Sequence, residues 1–145
     1  MRILCLDIGQ KRIGIAISDE TETLARSVAV VERDEGAPLK IRRIADENGA
    51  GKIVYGLPVR LDGALSAQTE KTLAYIDELK KTIPLPFIPW DERLTTKEAE
   101  TVLIMADMSR KKRKKVIDRL AAQIILQDYL ESLRPIAPHE EDSPF

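Results

Sequence analysis

Residues 2–18 read RILCLDIGQKRIGIAIS, and the change of pattern inside this stretch decides the fold. Ile3-Leu4-Cys5-Leu6 is apolar without alternation, as in a strand at the centre of a sheet covered on both faces. From Arg12 to Ser18 the residues alternate strictly, with Ile13, Ile15 and Ile17 on one side and Gly14, Ala16 and Ser18 on the other. Only Gly9-Gln10-Lys11 separates the two runs, so they form an antiparallel hairpin. A dinucleotide-binding fold begins instead with a strand, a glycine-rich turn and a helix, and is disfavoured.

Working outward from the hairpin, Ala25–Val31 reads as a third strand. The spacing of Leu39, Ile41, Ile44 and Ala45 predicts a helix from Pro38 to about Glu47, stopped at Asn48-Gly49. Lys52–Tyr55 is a short buried strand ending at Gly56, followed by a turn-rich loop to Gly63. A helix over Ser66–Lys81 points Leu73, Ile76 and Leu79 inward, with Tyr75 beside them. After Pro84 and Pro86 comes a strand at Phe87–Trp90. Thr95 with Glu98 makes a capping box that opens a helix to about Ala106. The last helix runs from Lys111 to Leu133, and Pro135 and Pro138 end regular structure. This order predicts an α/β domain, a five-stranded mixed sheet with helices on both faces, over residues 1–133. Residues 134–145 are expected to be a flexible tail.

With 145 residues, 43% apolar and 32% charged, the chain is an ordinary globular protein of one domain. No apolar run approaches the roughly 18 residues that span a bilayer. The N-terminus lacks the pattern of a signal peptide. A cytoplasmic location without membrane contact is expected, and the single cysteine, Cys5, fits a reducing compartment as a small core residue. The sole histidine, His139, lies in the proline-containing tail, which argues against a serine–histidine triad or a zinc site. Carboxylates are then the natural chemical groups of any enzyme here.

Asp7 ends the first apolar strand, Glu92 follows the last, and Asp118 borders the apolar stripe Ile117, Leu120, Ala121 and Ile124 of the final helix, aligned with Ala122, Ile125 and Tyr129. Ligand sites in open α/β sheets favour the carboxyl ends of strands. Grouped there, three acids would repel one another until hard cations such as Mg²⁺ or Mn²⁺ entered. Two such ions can activate a water and stabilise the leaving oxygen of a phosphodiester. Considered separately, each acid has a structural reading: Asp7 as a turn former, Glu92 paired with Arg93, Asp118 paired with Arg119 or Lys115.

Four blocks in order go further. They are Leu6-Asp7-Ile8-Gly9 with Lys11–Ala16 and Ser18-Asp19; Val54–Pro58 with Asp62-Gly63; Asp91–Thr96; and Asp118–Ala122 continuing to Leu130. Across residues 2–131 the chain resembles the YqgF (RuvX) family, Holliday-junction-resolvase-like nucleases implicated in maturing the 5′ end of the bacterial 16S ribosomal RNA precursor. The resemblance implies a ribonuclease H-like fold and Asp7, Glu92 and Asp118 as catalytic metal ligands. The first block also resembles the phosphate motif of sugar kinases and actin-like ATPases. Those proteins close two such domains on a nucleotide, and this chain has room for one.

Arg110, Lys111, Lys112, Arg113, Lys114 and Lys115 form an unbroken cationic run despite a net charge of −1. Cations at a helix N-terminus oppose the macrodipole, at about 0.3–1 kcal/mol each, and bound phosphate would offset that cost. Lys11 and Arg12 in the hairpin turn, and Arg93 beside Glu92, are further candidate nucleic-acid contacts. Aromatics make up only 4% of the chain, so backbone and shape recognition is expected rather than base stacking. The expected partner is structured nucleic acid, with precursor 16S ribosomal RNA favoured over branched DNA. The readings left open are a non-catalytic binding factor and a homodimer.

Overall fold

The computed structural model describes residues 1–60, 62–92 and 109–134, the last segment without the side chains at positions 110, 113–115, 117 and 118. Five strands, β1 (Arg2–Ile8), β2 (Arg12–Ser18), β3 (Ala25–Glu32), β4 (Ala50–Leu57) and β5 (Phe87–Asp91), form one sheet in the order β3-β2-β1-β4-β5. The antiparallel meander β1–β2–β3 makes one half. On the other side of β1, β4 and β5 run parallel to it. The helices are α1 (Ala37–Glu47), α2 (Ala67–Lys80) and α3 (Arg110–Ser132). The predicted helix over Thr95–Ala106 and the tail lie outside the described residues.

The hairpin forms because its turn is tight. Gly9 N–H donates to the Arg12 carbonyl at 2.9 Å, and a Cβ on Gly9 would meet that same oxygen at 2.6 Å. Helix α2 begins with a reciprocal cap: Thr69 N–H donates to the Ser66 hydroxyl, and Ser66 N–H to the Thr69 hydroxyl. The Thr69 hydroxyl also donates to the Pro58 carbonyl, tying the start of α2 to the chain as it leaves β4.

Alternation along β1 and β2 sorts the core into two layers. Leu4, Leu6, Ile13, Ile15, Ile17 and Ile53 pack beneath α1 and α2, with Ile41, Ala45, Ile76 and Leu79 from the helices. Ile3, Cys5, Ala16 and Val54 face the other way and are covered by Ala122, Ile125, Leu126, Tyr129 and Leu130 of α3. The fully buried Ile125, Leu126 and Leu130 each contribute about 1.5–3 kcal/mol of burial. Sheet-facing residues of α3 therefore centre on the row Ala122–Ile125–Leu126–Tyr129, rotated slightly from the stripe predicted through Ile117, Leu120 and Ala121.

Two glutamines one helical turn apart fasten α3 to the open edge of β3. Gln127 accepts from Ala25 N–H at 2.9 Å and donates to the Thr23 carbonyl at 3.0 Å; Gln123 accepts from Ser27 N–H at 3.0 Å. These bonds occupy edge groups that would otherwise offer themselves to another strand. They also set the direction of α3, whose C-terminal half lies over the amino end of β1 and whose N-terminal half rises toward the carboxyl end.

Candidate active site

Asp7 shares its side of the sheet with Ile3 and Cys5, so it faces α3 rather than α1 and α2. It is half-buried and lies opposite Gly14 in the antiparallel ladder. One step beyond the last parallel rung, Leu6 with Tyr55, Asp7 comes level with Gly56 of β4. Thus Asp7 has a glycine on each side. Both glycines are buried, so other parts of the chain approach the sheet closely on either side of Asp7.

Glu92 approaches Gly56 from the side of β5. It follows β5 and shares the alternation of Ile88 and Trp90, both packed toward α3. Its carboxyl folds back over Gly56: a Cβ at Gly56 would meet Glu92 Oε1 at 2.8 Å and Ile125 Cδ1 at 3.0 Å. With strands about 4.8 Å apart, the carboxylate hangs roughly one strand spacing from β1. Trp90, two residues before Glu92, packs edge-on against Tyr129 at 5.6 Å between centroids. Such a contact is worth about 0.5–1.5 kcal/mol beyond burial and anchors the end of β5 against α3.

Asp118 sits on the backbone of α3 one turn before Ala122 and two turns before Ile125, both of which pack against the sheet. Since Ile125 reaches Gly56, the Asp118 Cα lies about 10 Å further along the helix, toward the carboxyl edge of β1 and β4. The side chain of Asp118 lies outside the described residues. The chain brings Asp7 and Glu92 to the same side of the sheet from β1 and β5, the two strands that flank β4, and points α3 toward them. Carboxylate oxygens converging over a glycine of the strand between them suit hard divalent ions.

The predicted cations divide. Lys111 and Lys112 are exposed on the first turn of α3, where Ser109 caps the helix by accepting from Lys112 N–H at 3.4 Å. Arg110, Arg113, Lys114 and Lys115 occupy the same two turns. Lys11 is exposed in the hairpin turn, and Arg12 pairs with Glu32 at 3.5 Å across the β2–β3 ladder. That ion pair is solvent-facing and weak. Arg93 lies outside the described residues.

The sequence reading placed Gly56 at the close of a strand and the head of a loop, and so missed its role. The signal was available in the pattern itself: Val54 and Gly56 share a face, and a glycine in a central strand marks a close approach of other atoms.

Among curated relatives, a protein of Thermoanaerobacter pseudethanolicus is 47% identical over 135 residues, covering 91% of this chain and 97% of the relative. One from Halothermothrix orenii is 48% identical over 133 residues, covering 90% and 94%. Both carry the provisional name pre-16S rRNA nuclease. Among solved structures, Thermus thermophilus RuvC in complex with a Holliday junction substrate aligns with a TM-score of 0.53 at 12% identity, covering 92% of this chain and 97% of that one. At that identity the likeness is one of fold, the ribonuclease H-like sheet with helices on both faces. The RuvX family model, described as Holliday junction resolvase, matches residues 1–132. The chain belongs to the RuvX family of nucleases.

Proposed function

We propose that the chain is a divalent-metal-dependent endonuclease whose metal ligands are Asp7, Glu92 and Asp118. The observation that carries this reading is the placement of the two acids: Asp7 stands between Gly14 and Gly56, and the Glu92 carboxyl is folded over the second of these glycines. Two carboxylates brought from β1 and β5 toward the strand between them suit a shared hard cation, which would relieve their mutual repulsion. The chemistry supplied by a pair of bound Mg²⁺ or Mn²⁺ ions is activation of a water and neutralisation of charge on the phosphodiester. The rest falls to the protein. The carboxylates orient what they hold, Trp90 and Tyr129 keep the end of β5 in place, and the cationic first turns of α3 draw in the phosphate backbone.

The substrate favoured is the 5′ region of precursor 16S ribosomal RNA, because that is the activity named for relatives that match this chain almost end to end. Residues 1–133 would form the nuclease domain. The test is cleavage of a precursor transcript by the purified protein with Mg²⁺ or Mn²⁺, beside a branched DNA. Asp7→Asn and Asp118→Asn should retain fold and lose cleavage, and Asp7→Asn should also lose thermal stabilisation by Mn²⁺. Preferential cutting of branched DNA would move the substrate to junctions. Tight binding without cleavage under any divalent ion would leave a non-catalytic assembly factor.

A further inference from the structure

On the opposite face from α3, a groove of about 630 Å³ runs between the β1–β2 turn and α2, lined by Gln10, Arg33, Gln68, Lys71, Tyr75 and Glu78. Such a volume has room for a nucleotide. Arg33 is fixed there by three contacts. Its backbone N–H donates to the Lys11 carbonyl at 2.8 Å, its Nη1 donates to the Gly9 carbonyl at 2.9 Å, and its guanidinium lies 4.1 Å over the Tyr75 ring. One N–H of five is thereby used on a carbonyl, and among the described residues no carboxylate pairs with Arg33.

Lys71 likewise has no ion-pair partner among the described residues, whereas the one acid of the lining, Glu78, is held by Lys81 at 3.2 Å. That pair is exposed and weak, so the groove presents two cations, Arg33 and Lys71, against the lining carboxylate Glu78, with Arg33 immobilised. At its floor the Tyr75 hydroxyl is shielded from solvent and has no hydrogen-bond partner. Burial raises the pKa of this phenol, Arg33 opposes and the Asp34 carboxylate adds to the rise, so it stays a protonated donor. Gln10 stands three residues after Asp7, which places the rim of the groove within about 10 Å of the candidate active site along the chain.

We propose that this groove is a second nucleic-acid subsite, holding the phosphate and sugar of a nucleotide that flanks the scissile bond after the strand passes over the sheet edge at Gln10. Arg33 and Lys71 take the phosphate, and the amides of Gln10 and Gln68 take sugar or base edges. The proposal rests on the nuclease reading above. A pre-ordered arginine suits the task, because little rotamer freedom is left to lose when phosphate binds.

The experiment measures binding of a fluorescent single-stranded oligoribonucleotide across a KCl series, with Asp7→Asn in every protein to prevent cleavage. Lys71 is exposed and among the described residues makes no hydrogen bond or ion pair, so Lys71→Ala and Lys71→Glu should keep the melting temperature. Each should weaken binding about threefold to tenfold, and Lys71→Ala should flatten the slope of log affinity against log salt by about 0.7 for the one lost contact. Gln68→Ala should weaken binding without changing the slope. If both Lys71 variants match the parent in affinity and slope while Lys112→Glu weakens binding, the groove is not a subsite and the nuclease reading stands. If the parent itself binds no RNA, both readings fall together.

Discussion

Adding one methyl group at Gly56 is the sharpest test of the site. In Gly56→Ala the new Cβ would stand 2.8 Å from Glu92 Oε1, so the carboxylate must retreat by about 0.6 Å to regain the 3.4 Å of an ordinary contact. That oxygen is the far end of a flexible side chain, so the movement is cheap for the fold. Ile125 Cδ1 at 3.0 Å is the stiffer neighbour, since it sits in the fully buried row of α3. Overpacking of this sort costs about 1–3 kcal/mol, and replacing a strand glycine by alanine returns about 0.5–1. The net stability loss is then about 0–2.5 kcal/mol, read as a shift in the urea midpoint.

Activity is held to a tighter tolerance. Catalytic groups must sit within roughly 0.5 Å of their productive positions, and an error near 1 Å can cost about 10²-fold. Cleavage of the precursor transcript should therefore fall about 10- to 100-fold. The double variant Gly56→Ala/Ile125→Val separates the causes, because valine removes the Cδ1 that the methyl crowds but leaves Glu92 displaced. Stability should recover in part and activity should not. Full activity in Gly56→Ala, or its return in the double variant, would refute the reasoning.

Gln127→Ala removes two hydrogen bonds that join α3 to the edge of β3 and should destabilise the protein by about 1–3 kcal/mol, measured by chemical denaturation. Asp19 accepts from the Thr21 hydroxyl and from the Leu24 and Thr23 backbone and the Thr23 hydroxyl, which hold its carboxyl well below the usual carboxylate range. A depressed pKa in the folded state means that the stabilisation is complete above about pH 4 and is lost as pH falls below it. The acid limb of a stability–pH curve should accordingly flatten in Asp19→Asn. Lys112→Glu, exposed on the first turn of α3, should weaken RNA binding and lower its salt dependence, seen by fluorescence titration.

Local patterns in the chain carried the sheet well. Ile13, Ile15 and Ile17 do face one layer and Ala16 the other, and the short gap to β1 does make a hairpin. Helix α2 ends within a residue of its expected limits because capping at Ser66 is a local event. Pairings distant in sequence were not legible. Gln123 and Gln127 meet residues about 100 positions earlier, and nothing in their own neighbourhood marks them as edge caps rather than surface glutamines. Arg33 was equally silent, since its stacking on Tyr75 depends on where α2 docks. Of the candidate site, the three acids stood out by residue type and by their places at element ends. The glycines between them did not, because an absent side chain gains meaning only once neighbouring strands are aligned.

The fastening of α3 also bears on when the protein becomes active. Ala25 and Ser27 wait for glutamines that are synthesised about 100 residues later. A nascent chain that has completed β5 already holds Asp7 and Glu92 and can pair its five strands. It still shows Ile3, Cys5, Ala16 and Val54 to water, because the layer that covers them comes from α3. Asp118 arrives with the same helix. One docking event thus covers this apolar face and, on the proposed ligand set, brings the third acid, so a ribosome-bound fragment that stops short of α3 is aggregation-prone. If Asp118 is a ligand as proposed, final closure of this layer and completion of the site are the same step in biosynthesis.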